Sequence, residues 1–254
     1  MPLSQPDPVN LVGPAKQLGK LLLDVIFPSS CLHCSEPIED TPYRNLCAAC
    51  ARELYLVSSP ACSTCGFPFF GALIGDQICP HCADLDPVFE EGKTLFLAKG
   101  PGRALIHALK YHQGFYILKD VETMLRQSPE YLDYLCQSVL VPVPLHSVKQ
   151  RQRGFNQSER IARKLAQVVG GGCCVELLLE RSKYTKTQTR LSREARERNV
   201  KNAFSLTTNA LLMPDTHYIL VDDVFTTGAT LNACSRVLRD AGARHIKVAT
   251  LGHG

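Results

Sequence analysis

Residues 218–231 read Y-I-L-V-D-D-V-F-T-T-G-A-T-L, and the string changes character twice along its length. The apolar run from Tyr218 ends in two adjacent carboxylates, Asp222 and Asp223. A hydroxyl-rich turn, Thr226-Thr227-Gly228-Ala229-Thr230, begins three residues later. Beyond it Leu231, Cys234, Val237, Leu238 and Ala241 recur at helical spacing, and Gly242 stands where a helix C-terminus is expected. The stretch therefore reads as strand, acidic pair, tight turn and helix.

That order carries a chemistry. A turn that opens a helix presents backbone N–H groups with no intrahelical partner at the positive end of the helix dipole, which suits a phosphate. Gly228 lets the backbone approach a ligand closely, and Thr226, Thr227 and Thr230 add hydroxyl donors. Asp222 and Asp223 can accept hydrogen bonds from a sugar diol or hold Mg2+ through water. The stretch closely resembles the 5-phosphoribosyl-1-pyrophosphate (PRPP) motif of the type I phosphoribosyltransferases. The resemblance implies that Asp222 and Asp223 contact the ribose hydroxyls and that Thr226, Thr227, Gly228, Ala229 and Thr230 hold the 5-phosphate.

With 254 residues, 45% hydrophobic and 20% charged, the chain is a packed globular protein of one large or two smaller units. Its formal charge of +4 is unevenly spread. Residues 1–100 carry 6 Lys/Arg against 11 Asp/Glu, a balance of −5, whereas residues 101–254 carry 22 against 13, a balance of +9. The second part is thus suited to anionic ligands. No basic n-region begins the chain, and Asp24 interrupts the apolar run 21–27, so a secretory signal is not expected. No apolar run approaches the roughly 20 residues needed to span a bilayer, and a cytoplasmic location is expected.

Twelve cysteines without an export signal argue for reduced, metal-binding thiols rather than disulfides. Eight form C-x-x-C pairs: Cys31/Cys34, Cys47/Cys50, Cys62/Cys65 and Cys79/Cys82. Each such turn brings two thiolates to one tetrahedral Zn2+, and a second pair closes the site, leaving no open position. Two structural zinc sites are expected, paired sequentially as two ribbons, with a cross-brace of the first pair with the third as the alternative that spacing leaves open. The other four cysteines, Cys136, Cys173, Cys174 and Cys234, read most simply as buried thiols.

Residues 1–28 form a Pro-containing tail with a short amphipathic helix over 18–27, whose apolar face packs on a neighbouring unit or touches the inner face of the membrane. Residues 29–87 carry the zinc sites, and Asp84-Leu85-Asp86-Pro87 reads as the linker to a unit spanning 88–254. In that unit strands are expected over 95–98, 138–143, 173–178 and 245–251. Pro101-Gly102 reads as a break before a helix, and 121–134 as helix interrupted near Pro129. The loop Arg153-Gly154-Phe155-Asn156-Gln157 stands between a strand and a helix ending near Val169, and can wrap a second polyanion through guanidinium and backbone N–H groups. Residues 181–201 are strongly basic and read as a mobile loop that closes over a phosphorylated ligand or follows a nucleic-acid backbone. Alternating strands and helices predict an α/β domain with a doubly wound, mostly parallel sheet.

Taken together, the PRPP motif, the R-G-F-N-Q loop after Pro142-Val143-Pro144, Thr187-Gln188, Arg198-Asn199-Val200 and the double zinc ribbon resemble the ComF family. The likeness covers residues 20–254. It implies a type I phosphoribosyltransferase-like fold, with Arg153–Gln157 as the pyrophosphate loop and 181–201 as the flexible loop. It also implies PRPP with Mg2+ as ligand, and a role in natural transformation beside single-stranded DNA and the helicase or translocation proteins of DNA uptake. The competing reading is a salvage phosphoribosyltransferase that joins PRPP to a base and releases pyrophosphate. No residue is assigned as general acid or base.

Overall fold

A computed structural model describes residues 29–70, 79–111, 114–181 and 203–254. The helix expected over 18–27 and nearly all of the basic segment 181–201 lie outside the described residues.

The frame is a five-stranded sheet of β1 (Gly92–Leu97), β2 (Val139–Pro142), β3 (Cys174–Val175), β6 (His217–Phe225) and β7 (His245–His253), in the order β1-β7-β6-β2-β3. Each neighbouring pair is parallel. The near-continuous apolar character of β6 and β7 follows, because a parallel sheet is covered on both faces. One face carries α2 (Gly100–Tyr111), α3 (Ile117–Arg126), α4 (Pro129–Leu135) and α6 (Gln157–Val169). Leu105, Met124, Leu135 and Leu165 on these helices pack against Leu140, Ile219 and Leu251 of the sheet. The other face carries α7 (Ala229–Asp240), whose Leu231, Cys234 and Leu238 meet Leu220, Ile246 and Val248. A small antiparallel hairpin, β4 (Leu179–Arg181) with β5 (Phe204–Leu206), joins this second core. The fold is the doubly wound, mostly parallel α/β sheet expected.

Local differences have local causes. Pro101 and Gly102 begin α2 rather than break the chain before it, since a proline near a helix start has no N–H to lose. The break expected near Pro129 is there: Gln127 and Ser128 separate α3 from α4, which Pro129 opens. The strand expected over 173–178 pairs only at Cys174 and Val175. It is a sheet edge, so Cys174 is exposed and Cys173 half-buried, while Cys136 at the end of α4 is exposed. Of the four cysteines expected to be buried, Cys234 alone is.

The eight C-x-x-C cysteines form two clusters paired sequentially, Cys31/Cys34/Cys47/Cys50 and Cys62/Cys65/Cys79/Cys82, with the sulfurs of each cluster within 4.8 Å of one another. Tetrahedral zinc with Zn–S bonds of about 2.3 Å sets its sulfurs about 3.8 Å apart. The Cys34–Cys47 and Cys65–Cys79 separations of 3.6 and 3.4 Å fit that ion. Between the second and third cysteines of the first cluster runs a loop that leads into α1 (Ala48–Glu53), which carries Cys50.

Neither cluster has a core to itself. Cys31, Leu46, Cys47 and Cys50 pack with α2 and α3, and the second cluster packs with α7, β6 and β7. Asp120 on α3 is fully buried and accepts hydrogen bonds from Arg44 N (2.7 Å), Asn45 N (3.0 Å) and Asn45 Nδ2 (2.8 Å). Burial pushes its carboxyl above the ordinary range, and these donors act against that. At the second cluster Thr94 Oγ1 donates to Cys65 O at 2.9 Å. Gly66, at φ +73°, lies so close to β1 that a Cβ there would stand 2.4 Å from Thr94 N. The stretch 84–87 is likewise pinned rather than loose. Asn232 of α7 accepts from Val88 N at 2.8 Å and donates to Asp86 O at 2.7 Å.

Two expectations follow from the shared cores. Metal analysis should return two zinc ions per chain, and a chelator should lower the melting temperature of the whole chain in one transition. A separate early transition, with the sheet unaffected, would contradict this. Asp120→Ala leaves three donors without their acceptor and should cost about 3 kcal/mol in urea unfolding; a loss below about 0.5 kcal/mol would mean that the clamp is not structural.

Candidate functional site

In a doubly wound sheet, ligands sit at the carboxyl ends of strands where successive crossovers diverge. Here β2 runs through α6 to β3 at one edge, while its neighbour β6 runs through α7 to β7 toward the other. The crevice between β2 and β6 is therefore the switch point. Residues 143–157 and 226–230 leave the carboxyl ends of those two strands.

The acidic pair stands at the end of β6. Asp222 accepts from Ser158 Oγ at 2.9 Å and from Asp223 N at 2.9 Å. Desolvation, then the neighbouring Asp223 carboxylate, push the Asp222 carboxyl up to about 7; these hydrogen bonds and Lys110 act in the opposite direction. Asp223 is 5% exposed, and its Oδ1 meets Lys110 Nζ at 3.2 Å. Its Oδ2 is buried and has no hydrogen-bond partner among the described residues. A buried acceptor left open is costly, and a ribose hydroxyl or a metal-bound water is the kind of donor that satisfies it. The donor set thus fits Mg2+ held through water, with oxygen ligands only.

Beyond Phe225 the chain turns through Thr226, which is exposed, and Thr227 to Gly228, which is left-handed at φ +71°. Space and conformation both require glycine here. A Cβ would lie 2.7 Å from the Phe225 ring and 2.9 Å from Leu85 Cδ2. The first bond into α7 runs from Asn232 N to Gly228 O, so the N–H groups of the preceding turn have no intrahelical acceptor. Thr227 Oγ1 lies 3.4 Å from Ala229 N and caps it weakly, while Thr230 is partly exposed.

In the second loop, α5 (Ser147–Arg153) ends at Gly154, left-handed at φ +78° and exposed. Phe155 is buried against Phe115, with ring centroids 4.7 Å apart. Asn156 caps α6 by accepting from Ser158 N and donates through Nδ2 to Val143 O at 3.0 Å. Gln157 Oε1 accepts from Arg153 NH1 at 3.0 Å. Both amide side chains are thus engaged inside the protein. The Gly154 backbone and Arg153 are what the loop presents outward. Arg153 also lies over the Tyr111 ring, 5.3 Å from its centroid.

Four contributors were not singled out from sequence. Ser158 shows a local signal, a hydroxyl at the start of a helix that follows a strand. Lys110, Leu85 and His253 show none, because their contacts close over long stretches of chain. His253 Nε2 lies 3.2 Å from Cys65 Sγ, and burial, then the nearby His81, push its imidazole down to about 4, keeping it neutral. Phe225 stacks on it at 5.4 Å and 17°.

Comparison with known proteins agrees with this architecture. Residues 22–83 match the double zinc ribbon domain family, and residues 152–253 match the phosphoribosyl transferase domain family. Competence protein F of Haemophilus influenzae is 29% identical over 228 residues, covering 87% of this chain and 96% of that protein. The DNA utilization protein YhgH of Salmonella typhimurium is 30% identical over 226 residues, covering 87% and 95%. Competence protein ComFC of Streptococcus pneumoniae is 25% identical over 205 residues, covering 75% and 86%. Among solved structures, a purine phosphoribosyltransferase from Pyrococcus horikoshii Ot3 aligns over 51% of this chain and 70% of that one, at 18% identity and a TM-score of 0.30, too slight a likeness to carry weight. A double zinc ribbon match ahead of a phosphoribosyl transferase domain match, and relatives that align over nearly their whole length, show that the chain belongs to the ComF family.

Proposed function

We propose that this chain binds a 5-phosphorylated ribose, PRPP with Mg2+ in the first place, and handles single-stranded DNA in the cytoplasm during uptake. The observation that carries the ligand reading is the buried, open Asp223 Oδ2 beside a phosphate-type turn at the switch point. Asp222 and Asp223 accept from the ribose hydroxyls. The hydroxyls of Thr226, Thr227 and Thr230, with the N–H groups of Gly228, Ala229 and Thr230, donate to the 5-phosphate. Gly154 and Arg153 face the pyrophosphate, and Lys110 balances the charge of the acidic pair. Bound Mg2+ would neutralise pyrophosphate charge from waters held by Asp222 and Asp223.

The relatives' names associate them with competence and DNA utilization, and one surface here fits a nucleic-acid partner. Tyr111 is 62% exposed at the end of α2, with the His107 ring 4.8 Å away and the Arg153 guanidinium over its face. Arg160 lies over Phe115 at 4.8 Å, Tyr116 is 42% exposed, and Arg103, Lys119 and Arg151 are exposed on the same elements. Aromatic rings set among cations stack bases and follow phosphates without reading sequence. No helix among the described residues is long and apolar enough to cross a membrane.

The salvage reading has one observation in its favour. Tyr111 follows Lys110, which touches Asp223, so a free base stacked there would lie near a bound ribose. PRPP-dependent release of pyrophosphate with one of the common bases would establish it.

Asp223→Asn should weaken Mg·PRPP binding by roughly 10- to 100-fold in calorimetry, with the circular dichroism spectrum unchanged; unaltered affinity would refute the ribose assignment. Tyr111→Ala should weaken binding of a single-stranded oligonucleotide about tenfold, Tyr111→Phe should restore it, and PRPP binding should stay as it was. An unaltered oligonucleotide affinity in Tyr111→Ala would remove this surface from the DNA path.

A further inference from the structure

The second cysteine cluster lies against the phosphate turn, and two separate lines of contact lead from its ligands to one residue, Gly228. In the first, Cys82 N donates to Cys79 O at 2.9 Å and Leu85 N donates to Cys82 O at 3.0 Å, so Leu85 is the end of the same knuckle. The Leu85 side chain reaches to 2.9 Å from where a Gly228 Cβ would stand. The next residues cannot drift away, because Asn232, four residues beyond Gly228 and 8% exposed, grips Asp86 O and Val88 N.

The second line begins at Cys65. With zinc bound, the Cys65 thiolate would carry no proton, and the 3.2 Å contact with His253 would then be a hydrogen bond donated by Nε2–H. His253 is 1% exposed and is hemmed in by three rings: Phe67 at 5.0 Å, His81 at 4.9 Å and Phe225 at 5.4 Å. Phe225 then bears on Gly228, its ring standing 2.7 Å from where a Gly228 Cβ would be. Its carbonyl accepts from Gly254 N at 3.0 Å, and the His253 carbonyl accepts from Ala98 N at 2.8 Å. These bonds fix the end of β7 against the start of the turn.

Gly228 is the residue whose left-handed backbone aims the turn's N–H groups. We infer that Leu85 and His253 are positioning residues for the phosphate turn, through which metal at Cys62, Cys65, Cys79 and Cys82 and a phosphorylated ligand at 226–230 strengthen each other's binding. The inference rests on the phosphoribosyl reading of the turn. Its physical content is that zinc organises the knuckle that carries Leu85 and fixes the sulfur that His253 holds. A ligand that orders the turn holds both partners in place from the other side. Coupling of this kind is reciprocal in equilibrium affinity.

The test uses the full zinc-loaded chain, titrated with a chelator of known affinity with and without saturating ribose 5-phosphate and Mg2+. Ligand should raise the zinc affinity of the second cluster about tenfold, and clearly more than that of the first cluster, which packs on α3. Leu85→Ala should still hold two zinc ions per chain but bind ribose 5-phosphate about tenfold more weakly and abolish the ligand effect on zinc. His253→Phe should weaken second-cluster zinc by about 10-fold with a parallel loss of ribose 5-phosphate affinity, and His253→Gln, which keeps a donor, should recover both. If wild-type chain binds ribose 5-phosphate but its zinc affinity does not change, or if Leu85→Ala binds the ligand normally, the coupling is wrong and the phosphoribosyl reading stands. If wild-type chain binds neither ribose 5-phosphate nor PRPP, both fall together.

Discussion

Two carboxylates stand near the carboxyl end of a strand that runs through the middle of the sheet, and much of the surrounding architecture answers the electrostatic problem this sets. Asp222 and Asp223 are adjacent, largely withdrawn from water and mutually repelling, so the Asp222 carboxyl titrates near neutrality. The compensation comes from three directions. Ser158 reaches in from the start of α6, Lys110 from the last turn of α2, and the Asp223 backbone N–H from the strand itself. One acceptor, Asp223 Oδ2, is left over. The protein accepts that cost at the one place where the divergence of the β2 and β6 crossovers opens a crevice.

The zinc segment has too little apolar residue content to stand on its own, and the structure shows how it manages. Each cluster contributes its cysteines to a core that also contains sheet and helices. One is clamped through Asp120 and the other through Thr94 and His253. With each site contributing on the order of 10 kcal/mol when filled, metal binding and folding of the sheet are parts of one equilibrium.

What could be read from the chain in advance divides by range of interaction. The strand, turn and helix over 218–241 were legible because each signal there is local: apolar run, glycine, helical periodicity. The C-x-x-C turns were legible for the same reason, though only the three-dimensional arrangement distinguished sequential pairing from a cross-brace. Asn156 and Gln157 had the composition of an anion loop, yet their side chains hold Val143, Ser158 and Arg153, a distinction that residue type does not carry. The exposed Cys174 was misread because its burial depends on where β3 falls in the sheet order, and the exposed Cys136 because it lies at the end of α4. His253 and Cys65 lie 188 residues apart, and no periodicity joins them.

The outer side of β1 shows a last consequence. That strand would be a free sheet edge, but Leu56 bridges to Phe96, with Val57 N donating to Leu95 O and Leu97 N to Tyr55 O. At the opposite edge, β3 offers two paired residues. Unpaired strand edges are templates on which another chain can add. Here one border is sealed by the chain's own zinc segment and the other is too short to seed a ladder. Among the described residues, the borders of the five-stranded sheet therefore offer a second copy little to pair with, and sheet-to-sheet joining through them is disfavoured.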